Sequence, residues 1–130
     1  MNFKIIKDKE LSYFQIELSG QFDVHDLERC YLKIINHPDW DTALNILWDA
    51  RKCTFEHLSN DDLYAIGDMT NKYREQRGDG LAAWVVSRDI DFGISRMFEI
   101  INENKVIFSF HVFKTMQEAQ DYISHTNQNK

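Results

Sequence analysis

The sequence predicts one α/β domain, a mixed and mostly parallel five-stranded sheet packed with helices in the order ββαβαβαβα. Three observations carry this prediction. Period-two alternation of apolar and polar residues opens the chain. Two near-continuous apolar runs, "LNILWDA" and "LAAWVVS", read as strands buried on both faces, as in parallel sheets. Segments of helical period with capping residues alternate with those runs, which implies parallel strands joined by crossover helices. At 130 residues and 43% hydrophobic content, the chain suits a single domain that buries about two-thirds of its unfolded surface. Residues 1–130 are read as that domain, with a polar tail from about residue 125.

Phe3, Ile5 and Lys7 point one way in a first strand. "YFQIELSG" follows, with Phe14, Ile16 and Leu18 on one face and Tyr13, Gln15 and Glu17 on the other. The polar stretch Asp8 to Glu10 joins them, so an antiparallel hairpin is expected. Asp23 caps a first helix running to Asn36, with Val24, Leu27, Tyr31 and Ile34 at helical spacing. Pro38 ends it by disfavouring helical geometry at His37. Leu44 to Ala50 is the third strand. Ser59 precedes a second helix whose inner stripe is Leu63, Ile66, Thr70 and Tyr73, with Gly78 and Gly80 ending it. Leu81 to Ser87 is the fourth strand. A third helix from about Phe92 to Asn102, capped by Asp91, places Ile94, Met97, Phe98 and Ile101 on an inward stripe. "KVIFSFHVF" is the last strand. Thr115 to Glu118 forms a capping box for a final helix carrying Met116, Ala119 and Ile123.

Composition excludes several classes. Net charge is −6, with 21 acids and 15 bases interspersed, so the basic footprint of a general nucleic-acid binder is missing. The longest apolar run, "LAAWVV", is far short of a membrane span. "MNFKIIKDKE" is too charged for a signal peptide. Cys30 and Cys53 form no CxxC pair and read as free thiols of a reducing compartment. The expected location is the cytoplasm.

Motifs for chemistry are equally sparse. "DIDFGISRMFE" contains Asp91-Phe92-Gly93, the tripeptide that holds Mg²⁺ in protein kinases. No Lys–Glu pair, His-Arg-Asp loop or Gly-rich loop accompanies it, so it reads as a helix start in which Gly93 allows a close approach. The five histidines make no HExxH pattern, and no metal or cofactor is expected. His57 and Ser59 lack the geometry of a base and nucleophile. Arg77-Gly78-Asp79 reads as a helix end, with Gly78 left-handed and Arg77 at the negative terminus. The expectation is a protein that is not an enzyme.

Several strings, spread over nearly the whole chain, resemble one family. They are Leu47-Trp48-Asp49-Ala50-Arg51, Ser59 with Asp62-Leu63, and Arg77-Gly78. Phe92-Gly93 with Arg96-Met97-Phe98-Glu99, then Val112-Phe113 and Glu118-Ala119, complete the set. Together with the element order, they resemble the small stand-alone bacterial proteins of the SpoIIAA-like, or STAS-like, fold group. That group is related to the STAS domains of anti-sigma-factor antagonists. The resemblance implies a SpoIIAA-like sandwich and a regulatory role through contact with a protein partner. It also implies a candidate phosphorylation site at Ser59, the counterpart of the phosphorylated serine of the antagonists, although the acid-serine-serine-glycine context is missing.

Ser59 has a simpler reading as the cap of its helix, where Asp61 and Asp62 would repel phosphate. A second function class comes from the carboxyl ends of the parallel strands, where open α/β sheets bind ligands. Asp49, Arg51, Arg88 and Arg96 are the candidate ligand-binding residues, with the three arginines converging on a small anionic ligand. The alternative is that they pair with Asp49, Asp89, Asp91 and Glu99 at the surface. Three tryptophans and nine phenylalanines exceed what a small core requires, so a homodimer face is a candidate. The leading expectation is a non-catalytic regulatory domain that binds an unidentified regulatory protein. The alternative is a module binding an anion, nucleotide or amphiphile at the strand ends.

Overall fold

The computed structural model describes residues 1–7, 12–104 and 109–128, with side chains through residue 124. The strands are β1 (Asn2–Ile6), β2 (Tyr13–Gln21), β3 (Asn45–Thr54), β4 (Ala82–Val85) and β5 (Phe110–Phe113). The helices are α1 (Val24–Ile35), α2 (Asn60–Lys72), the single turn α3 (Arg74–Arg77), α4 (Asp89–Ile101) and α5 (Met116–Gln128). The strands lie in chain order across one sheet. β1 is antiparallel to β2, with Asn2 opposite Ser19, and every later pairing is parallel. The expected joining stretch Asp8 to Glu10 lies outside the described residues, as do residues 105–108 of the last predicted strand.

The sheet separates two apolar clusters. Phe14, Ile16, Leu18, Trp48 and Trp84 face one side, where Leu27, Tyr31 and Ile34 of α1 and Leu63 and Ile66 of α2 meet them. Tyr13, Leu47, Ala83 and Val85 face the other side and meet Ala119 and Ile123 of α5. The period-two alternation of β2 is thus realised. The final helix follows the last strand and needs no crossover, so it is free to close the opposite face. Each fully buried Leu, Ile or Phe in these layers contributes roughly 1.5–3 kcal/mol.

The helix boundaries follow the chemistry of their ends. Asp23 caps α1 by accepting from Asp26 N–H at 3.0 Å, and Asn36 closes it. Ser59 and Asp62 form a reciprocal capping box: Asp62 N–H donates to Ser59 Oγ at 3.2 Å, and Ser59 N–H to Asp62 Oδ2 at 2.8 Å. Glu118 N–H donates to Thr115 Oγ1 at 3.2 Å at the start of α5. β3 runs four residues past Ala50, because Lys52, Cys53 and Thr54 pair with Ser19, Gly20 and Gln21 beyond a register shift in β2.

Two expectations need correction. The second helix does not run to Gly78. It ends at Tyr73, whose hydroxyl donates to Glu28 of α1 at 2.5 Å, and the chain resumes as α3. Gly78 then takes φ +73°, where a side chain would drive into the backbone of Ala43 at 2.5 Å. Arg77 does lie at a helix end, as the last residue of α3, but its burial was not expected. It is fully buried, and its guanidinium donates to the carbonyls of Leu44 at 2.9 Å and Leu81 at 3.1 Å. Asp91 does not cap the third helix, which starts three residues earlier, behind Arg88.

Candidate functional site

The helix α4 carries an inverted pattern. Its most buried positions are Asp91, Ser95 and Asn102 just past its end, all polar. Its exposed large hydrophobic side chains are Ile90 (52%), Met97 (44%) and Ile100 (60%), with the charged Asp89 and Arg96 exposed beside them. Phe92, Ile94, Phe98 and Ile101 lie between these faces, half-buried against the core. Met97 therefore does not belong to the inward stripe. Gly93 lies on the exposed side, where an added Cβ would meet no other part of the domain within 4 Å, so it serves no close approach within the domain. Ile90, Gly93, Met97 and Ile100 recur at three- and four-residue spacing and form one outward line along the helix.

Two of the three inward polar groups have a structural task. The Asp91 carboxylate accepts Phe55 N–H at 3.2 Å and a forked pair from Arg88, at 2.7 Å to Nε and 3.0 Å to Nη2. Asn102 Nδ2 donates to Leu63 O of α2 and Phe98 O of α4, both at 3.2 Å. Gly67 makes that bridge feasible, since a Cβ there would lie 2.0 Å from Asn102 Oδ1. Ser95 Oγ is buried and has no hydrogen-bond partner among the described residues.

The structure gives the three candidate arginines separate partners. Arg51 grips Asp49 through Nε at 2.8 Å and Nη2 at 2.9 Å. Burial works to raise the Asp49 pKa, but the Arg51 hydrogen bonds outweigh it and hold the carboxyl below its ordinary value. Arg88 binds Asp91 and reaches Glu56 at 2.5 Å, and these carboxylates push its pKa further up. Arg96 pairs with Glu99 at 2.6 Å, one turn along the exposed side of α4. Asp89 pairs with Lys114. Ser87 Oγ donates to Arg51 O at 3.1 Å, which ties the ends of β3 and β4 together. The surface-pairing alternative thus describes how these side chains sit. Ser59 is exposed, and its oxygen serves the capping box.

Two recesses lie elsewhere. An apolar cavity of about 50 Å³ sits between the sheet and helices α1, α2 and α4, bounded by Tyr31, Trp48, Phe55, Trp84, Phe98 and Phe110. Its aromatic walls pack edge to face, as in Phe98–Phe110 at 5.2 Å, or tilted, as in Trp48–Trp84 at 5.6 Å. An outer groove, lined by Asp23, His25, His57 and Asp62, shares Phe22, Leu58 and Ile66 with the cavity. This groove lies beyond the carboxyl ends of β2 and β3. His57 Nε2 donates to Phe22 O at 2.7 Å, which fixes the proton on that nitrogen. Sequence spacing could not locate the cavity, but the aromatic surplus was its trace, since those side chains form its walls.

Both thiols are buried, and burial pushes Cys30 and Cys53 up to about 12. Among the described residues no cluster of His, Cys, Asp and Glu has the makings of a metal site. No helix among them is long and apolar enough to cross a membrane.

No protein-family model and no curated protein matches the sequence. The fold is similar to that of a solved structure, an uncharacterized protein of the DUF3478 family with a SpoIIAA-like fold from Shewanella loihica PV-4. The TM-score is 0.59 and the identity 13%, over 94% of this chain and 92% of that one. The likeness is one of fold, and the mixed five-stranded sheet with its flanking helices is SpoIIAA-like as the resemblance implied.

Proposed function

We propose that this SpoIIAA-like domain is a non-catalytic regulatory module that acts through contact with a protein partner, and that the outer face of α4 is its contact surface. The observation that carries this reading is the outward line of Ile90, Met97 and Ile100, which stands exposed although Phe92, Ile94, Phe98 and Ile101 already supply the helix's apolar contact with the core. Exposed apolar side chains gathered on one element mark interaction surfaces, whereas scattered ones are ordinary. The fixed ion pairs support the same reading. Arg51, Arg88 and Arg96 hold carboxylates of this chain rather than standing ready for a substrate. The partner is a regulatory protein presenting an apolar groove or helix. A second copy of this chain is the competing occupant.

A photo-crosslinking residue placed at Met97, with Arg29 on α1 as the control position, tests this in the cells that make the protein. One discrete heterologous product at Met97 and none at Arg29 is the expected result. A product of twice the chain mass would assign the face to a homodimer. Equal, diffuse labelling at both positions would defeat the reading.

A further inference from the structure

The unpartnered hydroxyl of Ser95 and the cavity it lines belong together. The side chain is 5% exposed, and its oxygen is buried without a hydrogen-bond partner among the described residues. A buried hydroxyl in that state costs free energy, which a partner would recover. The rest of the lining is almost wholly carbon, and Thr70, the neighbouring hydroxyl of the wall, already donates to Ile66 O at 2.8 Å. A cavity of about 50 Å³ has the room of a few water molecules, but a stable water needs two to four polar partners. Apolar cavities bind apolar molecules instead.

We infer that the cavity is a binding site for a small uncharged molecule, an apolar body carrying one hydroxyl, with Ser95 Oγ as its hydrogen-bond anchor. The charge restriction follows from the walls. An ionised carboxylate or ammonium desolvated against one hydroxyl would be heavily penalised. Ser95 both donates and accepts, so an alcohol or phenol satisfies it in either sense. The shared residues Phe22, Leu58 and Ile66 place the mouth at the outer groove, and Trp48 and Trp84 stand in the wall. Occupancy would also reach the proposed contact helix, because Ile94, Ser95 and Phe98 of α4 all line the cavity.

The test is fluorine NMR of protein labelled with 5-fluorotryptophan, titrated with 1-butanol and separately with n-pentane, which matches it in length. Trp40 lies outside the cavity lining and is the internal control. Saturable shifts at Trp48 and Trp84, but not Trp40, are expected with both probes. Ser95→Ala should weaken butanol binding about fivefold, the worth of one hydrogen bond, and leave pentane binding unchanged or tighter, while Ser95→Thr should keep the wild-type affinity for butanol. Absence of a saturable shift with either probe in the wild-type protein would overturn the site. Butanol binding that is undiminished by Ser95→Ala relative to pentane would overturn the anchor. Neither result bears on crosslinking at Met97, so the contact reading stands or falls separately.

Discussion

Asp91 and Arg88 form a forked ion pair, 2.7 and 3.0 Å, on a carboxylate that is 1% exposed and also receives Phe55 N–H. The pair fastens the start of α4 to the loop after β3. Removing the carboxylate would leave a buried amide and a half-exposed guanidinium without it. Asp91→Ala should destabilise the fold by about 3 kcal/mol, and Asp91→Asn by less, since the amide oxygen still accepts. Urea denaturation of the two variants measures both values. Equal, near-zero losses would contradict the role.

Gly67 and Asn102 are coupled. Gly67→Ala should cost about 2 kcal/mol, because the new methyl group overlaps the Asn102 amide that joins α2 to α4. In an Asn102→Ala background the same change should cost under about 1 kcal/mol, giving a clear interaction energy. A double-mutant cycle by thermal or urea melts reads it directly, and strict additivity would refute the coupling.

Ala43 takes φ +75°, which side chains rarely adopt, while its N–H donates to Arg77 O at 3.1 Å. Strain in that region costs roughly 1–2 kcal/mol, partly offset by the flexibility glycine adds to the unfolded chain. Ala43→Gly is therefore expected to stabilise the protein by about 0.5 kcal/mol, seen as a small rise in melting temperature. A fall would show that the loop gains from the methyl group.

The thiols predict an alkaline response. Burial raises Cys30 and Cys53 from 9.0 to about 12. Between those values the native state keeps protons that the unfolded chain has lost. Stability is therefore full below pH 9 and falls as pH rises towards 12, by about 1 kcal/mol per pH unit for each thiol. Urea melts of the wild type and the Cys30→Ala/Cys53→Ala variant, at pH 8 and pH 10, check the slope. The variant should lose much less stability over that interval. A thiol reagent at pH 8 should label neither cysteine until urea unfolds the chain.

Local signals were legible where the backbone decides the outcome. Asp23 and Asn36 bound α1 as read, and the Ser59–Asp62 box forms, because caps answer to neighbours a few residues away. The alternation of β2 assigned both of its faces. The start of α4 was misread because aspartate caps well, yet Asp91 spends its oxygens on Phe55 and Arg88, the former 36 residues distant in sequence. Its stripe was ambiguous for a different reason. With Ile90, Ile94, Met97, Phe98, Ile100 and Ile101 on one helix, several faces satisfy a helical template, and only packing chooses among them. The burial of Arg77 was equally hidden, since its acceptors are the carbonyls of Leu44 and Leu81. Of the candidate site, the sequence named the arginines, and the structure gives each a carboxylate partner of its own rather than a common centre. The cavity showed only as an excess of aromatic residues.

The face of α4 is tested most directly by changing its charge without touching the core. Met97→Glu and Ile100→Glu alter two side chains that are 44% and 60% exposed, so the melting temperature should stay within about 2 °C, as for surface substitutions generally. The measurement is the yield of the Met97-face partner co-isolated with each folded variant from cells, relative to wild type. The account predicts at least a tenfold loss for the double variant at unchanged stability. Undiminished recovery of the partner by a stably folded double variant would contradict it.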